Sequence, residues 1–133
     1  MSEALRHSLW VALGGALGTL LRHLLNVWTF TPAFPIGTVI ENITGAFALG
    51  VVTGLLATLK QSPDWLRQGV GVGFCGGYTT MSTFAADTFI VTVHQTPLMA
   101  GFYVAISLIA GLFVAWSGIA IGRSLGERRQ EAP

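Results

Sequence analysis

The sequence predicts an all-α integral membrane protein with four transmembrane helices, the third of them broken. Three observations carry that prediction. Of the 133 residues, 52% are hydrophobic and only 10% are charged, with a mean hydropathy of +0.65, against a soluble norm of about 25% charged. Four apolar runs, each close to the roughly 20 residues a spanning helix needs, are separated by short connections. The third run is interrupted between Gly73 and Asp87 by adjacent glycines and a cluster of hydroxyls. A chain of this length with four spans leaves no room for a separate soluble domain, so residues 1–133 are expected to form one membrane domain.

The first span is expected from about Leu9 to Trp28. An apolar run followed by three more reads as a first span and not as a cleaved signal peptide. Gly14 and Gly18 form a small-xxx-small face for close helix approach. Arg22 and His23 lie near its far end, where Arg22 either snorkels to the interface or supplies a fixed positive charge to a vestibule or a buried carboxylate. The loop Thr29 to Pro35 has two prolines and no charge, and Trp28, Phe30 and Phe34 fit an interfacial aromatic belt.

The second span, about Ile36 to Leu59, sets Thr38, Glu41, Asn42 and Thr44 among apolar residues. An amide beside a carboxylate is costly in lipid, so both are expected to face the bundle interior or water. Thr38 and Asn42 share a helix face at i,i+4, while Glu41 is turned from Asn42 by about 100°. In the connection Lys60 to Arg67, Ser62-Pro63-Asp64 reads as a helix start with a capping serine.

The third span is expected from Trp65 to a break at Gly76–Ser82, then onward to Val93. Glycines 76 and 77 are poor helix formers, and the hydroxyls of Thr79, Thr80, Ser82 and Thr83 compete for backbone groups. At membrane depth such a break must be buried in protein or line a wet cavity, which points to an ion or substrate site. Beyond it, Met81 and Phe84 share a face at i,i+3, a spacing that reads as core packing, and Thr83 and Asp87 share another at i,i+4. Asp87, an acid inside a span, is a functional candidate. The fourth span, about Leu98 to Ile121, carries a stripe of Tyr103, Ser107, Gly111 and Ala115 that reads as a packing seam. The tail from Gly122 is polar and expected to be disordered toward Pro133.

The lone Cys75 excludes an internal disulfide and reads as a packing residue, and histidines 7, 23 and 94 are too scattered for a metal cluster. A net charge of +1 with no basic run gives no reason to expect a nucleic-acid partner. No nucleophile and base stand at a useful spacing, so no enzymatic chemistry is expected. With four spans, Arg6, Lys60, Arg67, Arg123, Arg128 and Arg129 fall on the side of both termini and the opposite loops carry no Lys or Arg. That side is therefore assigned to the cytoplasm.

Gly14 to Arg22, Gly37-Thr38 to Gly45 with Asn42, and above all Gly-Phe-Cys-Gly-Gly-Tyr-Thr-Thr-Met-Ser-Thr-Phe from Gly73 to Phe84 together resemble the small bacterial fluoride channels known as Fluc or CrcB. The resemblance covers all four spans. It implies a multi-pass protein of the bacterial inner membrane, an antiparallel, dual-topology dimer with two pores, and a central structural sodium ion held by the carbonyls of Gly76 and Thr79. It also implies Asn42 as pore asparagine, Arg22 at the vestibule, Met81 and Phe84 at the positions of a phenylalanine pair, and a polar track of Ser82, Thr83, Ser107, Tyr103 and Asp87.

A small, strongly hydrated anion needs donors to replace its water: an amide, hydroxyls and an electropositive ring edge. Two residues depart from the family pattern. Met81 offers a weak acceptor in place of a ring edge. An ionised Glu41 close to the pore would repel fluoride by several kcal/mol at an effective dielectric of about 20. Glu41 is either protonated, paired with Arg22, or a selectivity element for a cation. Fluoride export is the first reading; a sodium channel on the same scaffold, with Glu41 lining the pore, and a non-conducting structural subunit are the others. The one-sided arginines also leave two partners open, an identical subunit or an oppositely oriented paralogue.

Overall fold

The structure, a computed structural model, describes residues 1–31 and 34–131, apart from the Glu131 side chain. Every regular element among them is helical. Three helices are long and apolar enough to cross a membrane: α1 (Glu3–Trp28), α2 (Ile36–Thr58) and α5 (Pro97–Glu131). Between α2 and α5 the chain makes two shorter helices. α3 consists of Trp65–Cys75, wound as a wide π-type helix, continued by one α-helical turn at Gly76–Tyr78; α4 is Ser82–His94.

Helix ends follow local chemistry at some points and depart from expectation at others. α1 begins at Glu3, well ahead of Leu9, because Ser2 Oγ accepts from Leu5 N at 3.3 Å and Glu3 places an acid in the first turn. Ser62 is not the cap of α3. Asp64 precedes the first helical residue with no side-chain capping bond, and the Pro63 carbonyl takes the amides of Leu66 and Arg67. Asp64 is engaged elsewhere, accepting from Arg6 at 2.6 Å and His7 at 3.2 Å, which ties the start of α1 to the start of α3.

The break is narrower than expected and lies within the expected Gly76–Ser82 range. Gly76 is helical (φ −66°, ψ −33°), and the chain leaves the helix at Thr79 (φ −82°, ψ 157°), resuming at Ser82. The tail also differs from expectation: α5 continues through Gly122 to Glu131 because it has something to pack on. A methyl on Gly122 would overlap the Val51 carbonyl, Gly126 sits on the Thr58 side chain, and Gln130 donates from Nε2 to the Thr58 carbonyl. Ala132, Pro133 and, in the first loop, Pro32 and Ala33 lie outside the described residues.

Two close helix pairs make the body: α2 with α5 and α1 with α3, joined by α2 against α3 and by α4 against α5. Both pairs meet backbone to backbone. A methyl on Gly50 or Gly54 would overlap the carbonyls of Ala115 and Ile119 on α5, and one on Gly14 or Gly18 would overlap those of Gly69 and Phe74 on α3. Lipid tails are as apolar as leucine, so such contact, and not hydrophobic exclusion, holds spanning helices together. The exposed side chains fit this setting: Leu13, Leu17, Leu112, Phe113 and Trp116 all point away from the protein.

Candidate functional site

The break at Thr79–Met81 needs partners for its backbone, and α2 supplies them through one side chain. Asn42 Nδ2 donates to the Thr80 carbonyl at 3.0 Å while Asn42 Oδ1 accepts from Thr80 N at 2.8 Å. The amide thus pairs with Thr80 as a neighbouring strand would. In an uninterrupted helix Thr80 N–H would close on the Gly76 carbonyl; here it goes to Asn42 instead. Thr79 folds back, its N–H and its hydroxyl both donating to the Cys75 carbonyl.

Thr80, buried, is the hub of the hydroxyls around the break. Its Oγ1 donates to Thr83 Oγ1 at 3.1 Å, accepts from Thr83 N at 3.2 Å and lies 3.3 Å from Ser82 Oγ. It therefore caps α4 and joins these side chains into one cluster. Beside it is a groove of about 430 Å³ lined by Asn42, Thr79, Thr80, Met81, Phe84 and Ser107, with others. Ser107 Oγ is buried there and has no hydrogen-bond partner among the described residues. Asn42 has a second N–H beyond the one given to Thr80, so the groove has two uncommitted donors.

A larger cavity of about 880 Å³ has Asn26, Thr38, Thr83 and Asp87 in its lining. Asp87 Oδ2 accepts from Thr38 Oγ1 at 2.6 Å and from Tyr103 OH at 3.4 Å. Tyr103 is fully buried, with Phe84 tilted against it (centroids 5.1 Å apart) and Phe34 edge-on (5.6 Å). Phe34 thus packs inward, unlike Trp28 and Phe30, which are exposed as an aromatic belt requires. Thr83 belongs to both regions: it bonds within the Thr80 cluster and lines the larger cavity.

Glu41 lies apart. It is fully buried and lines neither cavity. Its Oε2 accepts from Asn26 Nδ2 at 2.7 Å, and the same Asn26 nitrogen donates to the Arg22 carbonyl at 3.0 Å; Oε1 has no partner among the described residues. Arg22 makes no ion pair with Glu41 among the described residues, so that pairing is not what holds the acid. The turn of about 100° that separates Glu41 from Asn42 explains the division: Thr38 and Asn42 reach the broken helix, and Glu41 reaches α1.

Met81 and Phe84 do not share a helix face, because Met81 precedes α4 and is 73% exposed while Phe84 is buried; both nonetheless border the groove. Cys75 is buried with no polar role. Asn26 and Thr80, central to the two polar clusters, are not among the site residues expected from the sequence. Asn26 carries a usable signal, an amide one turn beyond Arg22 in an apolar helix; Thr80 is one of four neighbouring hydroxyls, and only the fold distinguishes it.

Residues 9–119 match the family described as CrcB-like protein, Camphor Resistance (CrcB). The chain belongs to this family. Among its CrcB-like relatives are fluoride-specific ion channel FluC 2 of Halalkalibacterium halodurans, 42% identical over 98% of this chain and 96% of that protein, and FluC 2 of Bacillus subtilis, 43% identical over 90% of each. FluC of Acidobacterium capsulatum is 40% identical over 88% of this chain and 96% of its own. CrcB-like relatives carrying that name are channels and not enzymes, and with three helices apolar enough to span, this chain is a multi-pass membrane protein.

Proposed function

We propose that the chain is a passive fluoride channel, releasing fluoride from the cytoplasm down its gradient. The observation that carries the reading is the polar line through an otherwise apolar body. From the groove it runs through Asn42, Ser107 and the Thr80–Ser82 hydroxyls past Phe84 to Thr83 at the larger cavity, where the Asp87 carboxylate is engaged by Thr38 and Tyr103. The donors on it suit a small hard anion: the second amide N–H of Asn42 and the unpartnered Ser107 hydroxyl replace water, and an aromatic edge at Phe84 can face a negative charge. Relatives covering nearly the whole chain are named fluoride-specific ion channels, and this supports fluoride as that anion.

In this reading α3 and α4 together make the third of four crossings, and two chains pack antiparallel so that Met81 and the exposed apolar faces meet a partner, identical or a paralogue. The residues at the break also fit a central sodium ion. Diverting Thr80 N–H to Asn42 takes a donor away from Gly76, and no side chain crowds Gly76. Gly76 and Thr79 would hold the ion by their carbonyls, and a hard cation there neutralises the carbonyl ends of two broken helices. Arg22 stands at the vestibule.

Sodium as the conducted ion gains no support, because the acid invoked for it lines neither cavity and is held by Asn26. The test is ion release from liposomes carrying the native chain, Ser107→Ala and Glu41→Val. Fluoride efflux reduced by Ser107→Ala and retained in Glu41→Val is expected. Sodium release abolished by Glu41→Val, with little fluoride efflux, would overturn the reading, and release of neither ion would leave a structural subunit.

A further inference from the structure

At the end of the molecule that carries both termini, α5 runs beyond what a bilayer requires. Its 35 residues extend about 52 Å at 1.5 Å per residue, against a hydrocarbon core of about 30 Å. The packing of Gly126 and Gln130 on Thr58 keeps this excess against the end of α2. Arg128 and Arg129 are thereby set on a cavity of about 540 Å³ whose walls also include Leu55, Leu59, Trp65 and Leu125. Two arginines and an apolar wall border one space. Trp65 and Leu125 are each about half exposed, as side chains facing the interface are.

Among the described side chains neither guanidinium is in an ion pair; both ion pairs found there involve Asp64. Lys60, Arg67 and Arg123 add positive charge to the same end, where with Arg6, Arg128 and Arg129 they outnumber the acids Glu3, Asp64, Glu127 and Glu131. A soluble anion would satisfy the guanidiniums and leave the leucines facing water, and an acyl chain alone would do the reverse. A phospholipid does both, since its phosphate accepts from paired guanidinium N–H groups while its chain lies on the leucines. A headgroup with net negative charge gains more from this basic end than a zwitterionic one.

We propose that this cavity binds an anionic phospholipid, its phosphate on Arg128 and Arg129 and one acyl chain along Leu55, Leu59 and Leu125. The bound lipid bridges the end of α5 to the α2–α3 connection. The proposal rests on the membrane location of the chain and is independent of which ion it conducts.

The experiment is native mass spectrometry of the full-length protein from mixed micelles containing equal phosphatidylglycerol and phosphatidylcholine. A preference for phosphatidylglycerol of roughly 25-fold is expected, from about fivefold for each of the two arginines at a lipid surface. In R128Q/R129Q it should fall to near parity, with a native thermal midpoint in detergent showing that the variant is folded. Arg123→Gln, outside the cavity, should keep the preference within about twofold. A preference that survives R128Q/R129Q, or one lost equally in Arg123→Gln, overturns the site. Displacement of the lipid by inorganic phosphate at equal concentration would mean an anion site and no lipid, and would also overturn it.

Discussion

At the residue scale, Asn42 is the side chain on which the break depends. It supplies a donor and an acceptor to a backbone that has left the helix, so its loss strands both buried Thr80 groups. Asn42→Leu, similar in volume, should therefore lower stability by about 2–4 kcal/mol, the cost of two buried unsatisfied groups. It should also stop fluoride efflux; thermal unfolding in detergent and an efflux assay read the two effects separately. Tyr103→Phe makes a contrast. The hydroxyl lies 3.4 Å from Asp87, which already has Thr38 at 2.6 Å, while the ring packs on Phe84. Removing the hydroxyl should cost less than about 1 kcal/mol and leave efflux near native. Asn42 stands out in the sequence because an amide in an apolar helix must find partners. Its partner does not, since nothing in a run of four hydroxyls tells which backbone faces α2.

At the scale of elements, glycines divide by what stands opposite them. Gly50, Gly54 and Gly122 face carbonyls so closely that any side chain would push α2 from α5, whereas Gly101 and Gly111 have nothing within 4 Å. Gly54→Val should then abolish folding or cost more than about 3 kcal/mol. Gly101→Ala should be neutral or stabilise by about 0.5–1 kcal/mol, because helix propensity alone acts there. Yield and thermal midpoint of the purified variants check both. The sequence located α1, α2 and the interrupted third run, because length and hydropathy decide those. It put the break at Gly76–Ser82, on glycines and competing hydroxyls together, and the fold confines it to Thr79–Met81, where Asn42 can reach the backbone. Tertiary contact decided the end of α5 as well: a polar tail reads as loose until Gly126 and Gln130 find Thr58.

At the scale of the whole molecule, one chain offers a half-enclosed polar line and a broad apolar surface that includes Met81. The proposed antiparallel dimer would account for both, yet the lysines and arginines outside the spans sit on one side by sequence. Single cysteines introduced at Ser62 and Thr96, at opposite ends of the molecule, should each be labelled from both faces of the membrane if the dimer is of identical chains. Labelling from one face only would require an oppositely oriented paralogue. The direct test of the central claim is ion release from liposomes reconstituted with the native chain, followed by a fluoride electrode, with an ionophore to balance charge. Fluoride should leave the vesicles while sodium, under a matching gradient, stays at the level of protein-free liposomes; sodium release with fluoride retained would contradict the account.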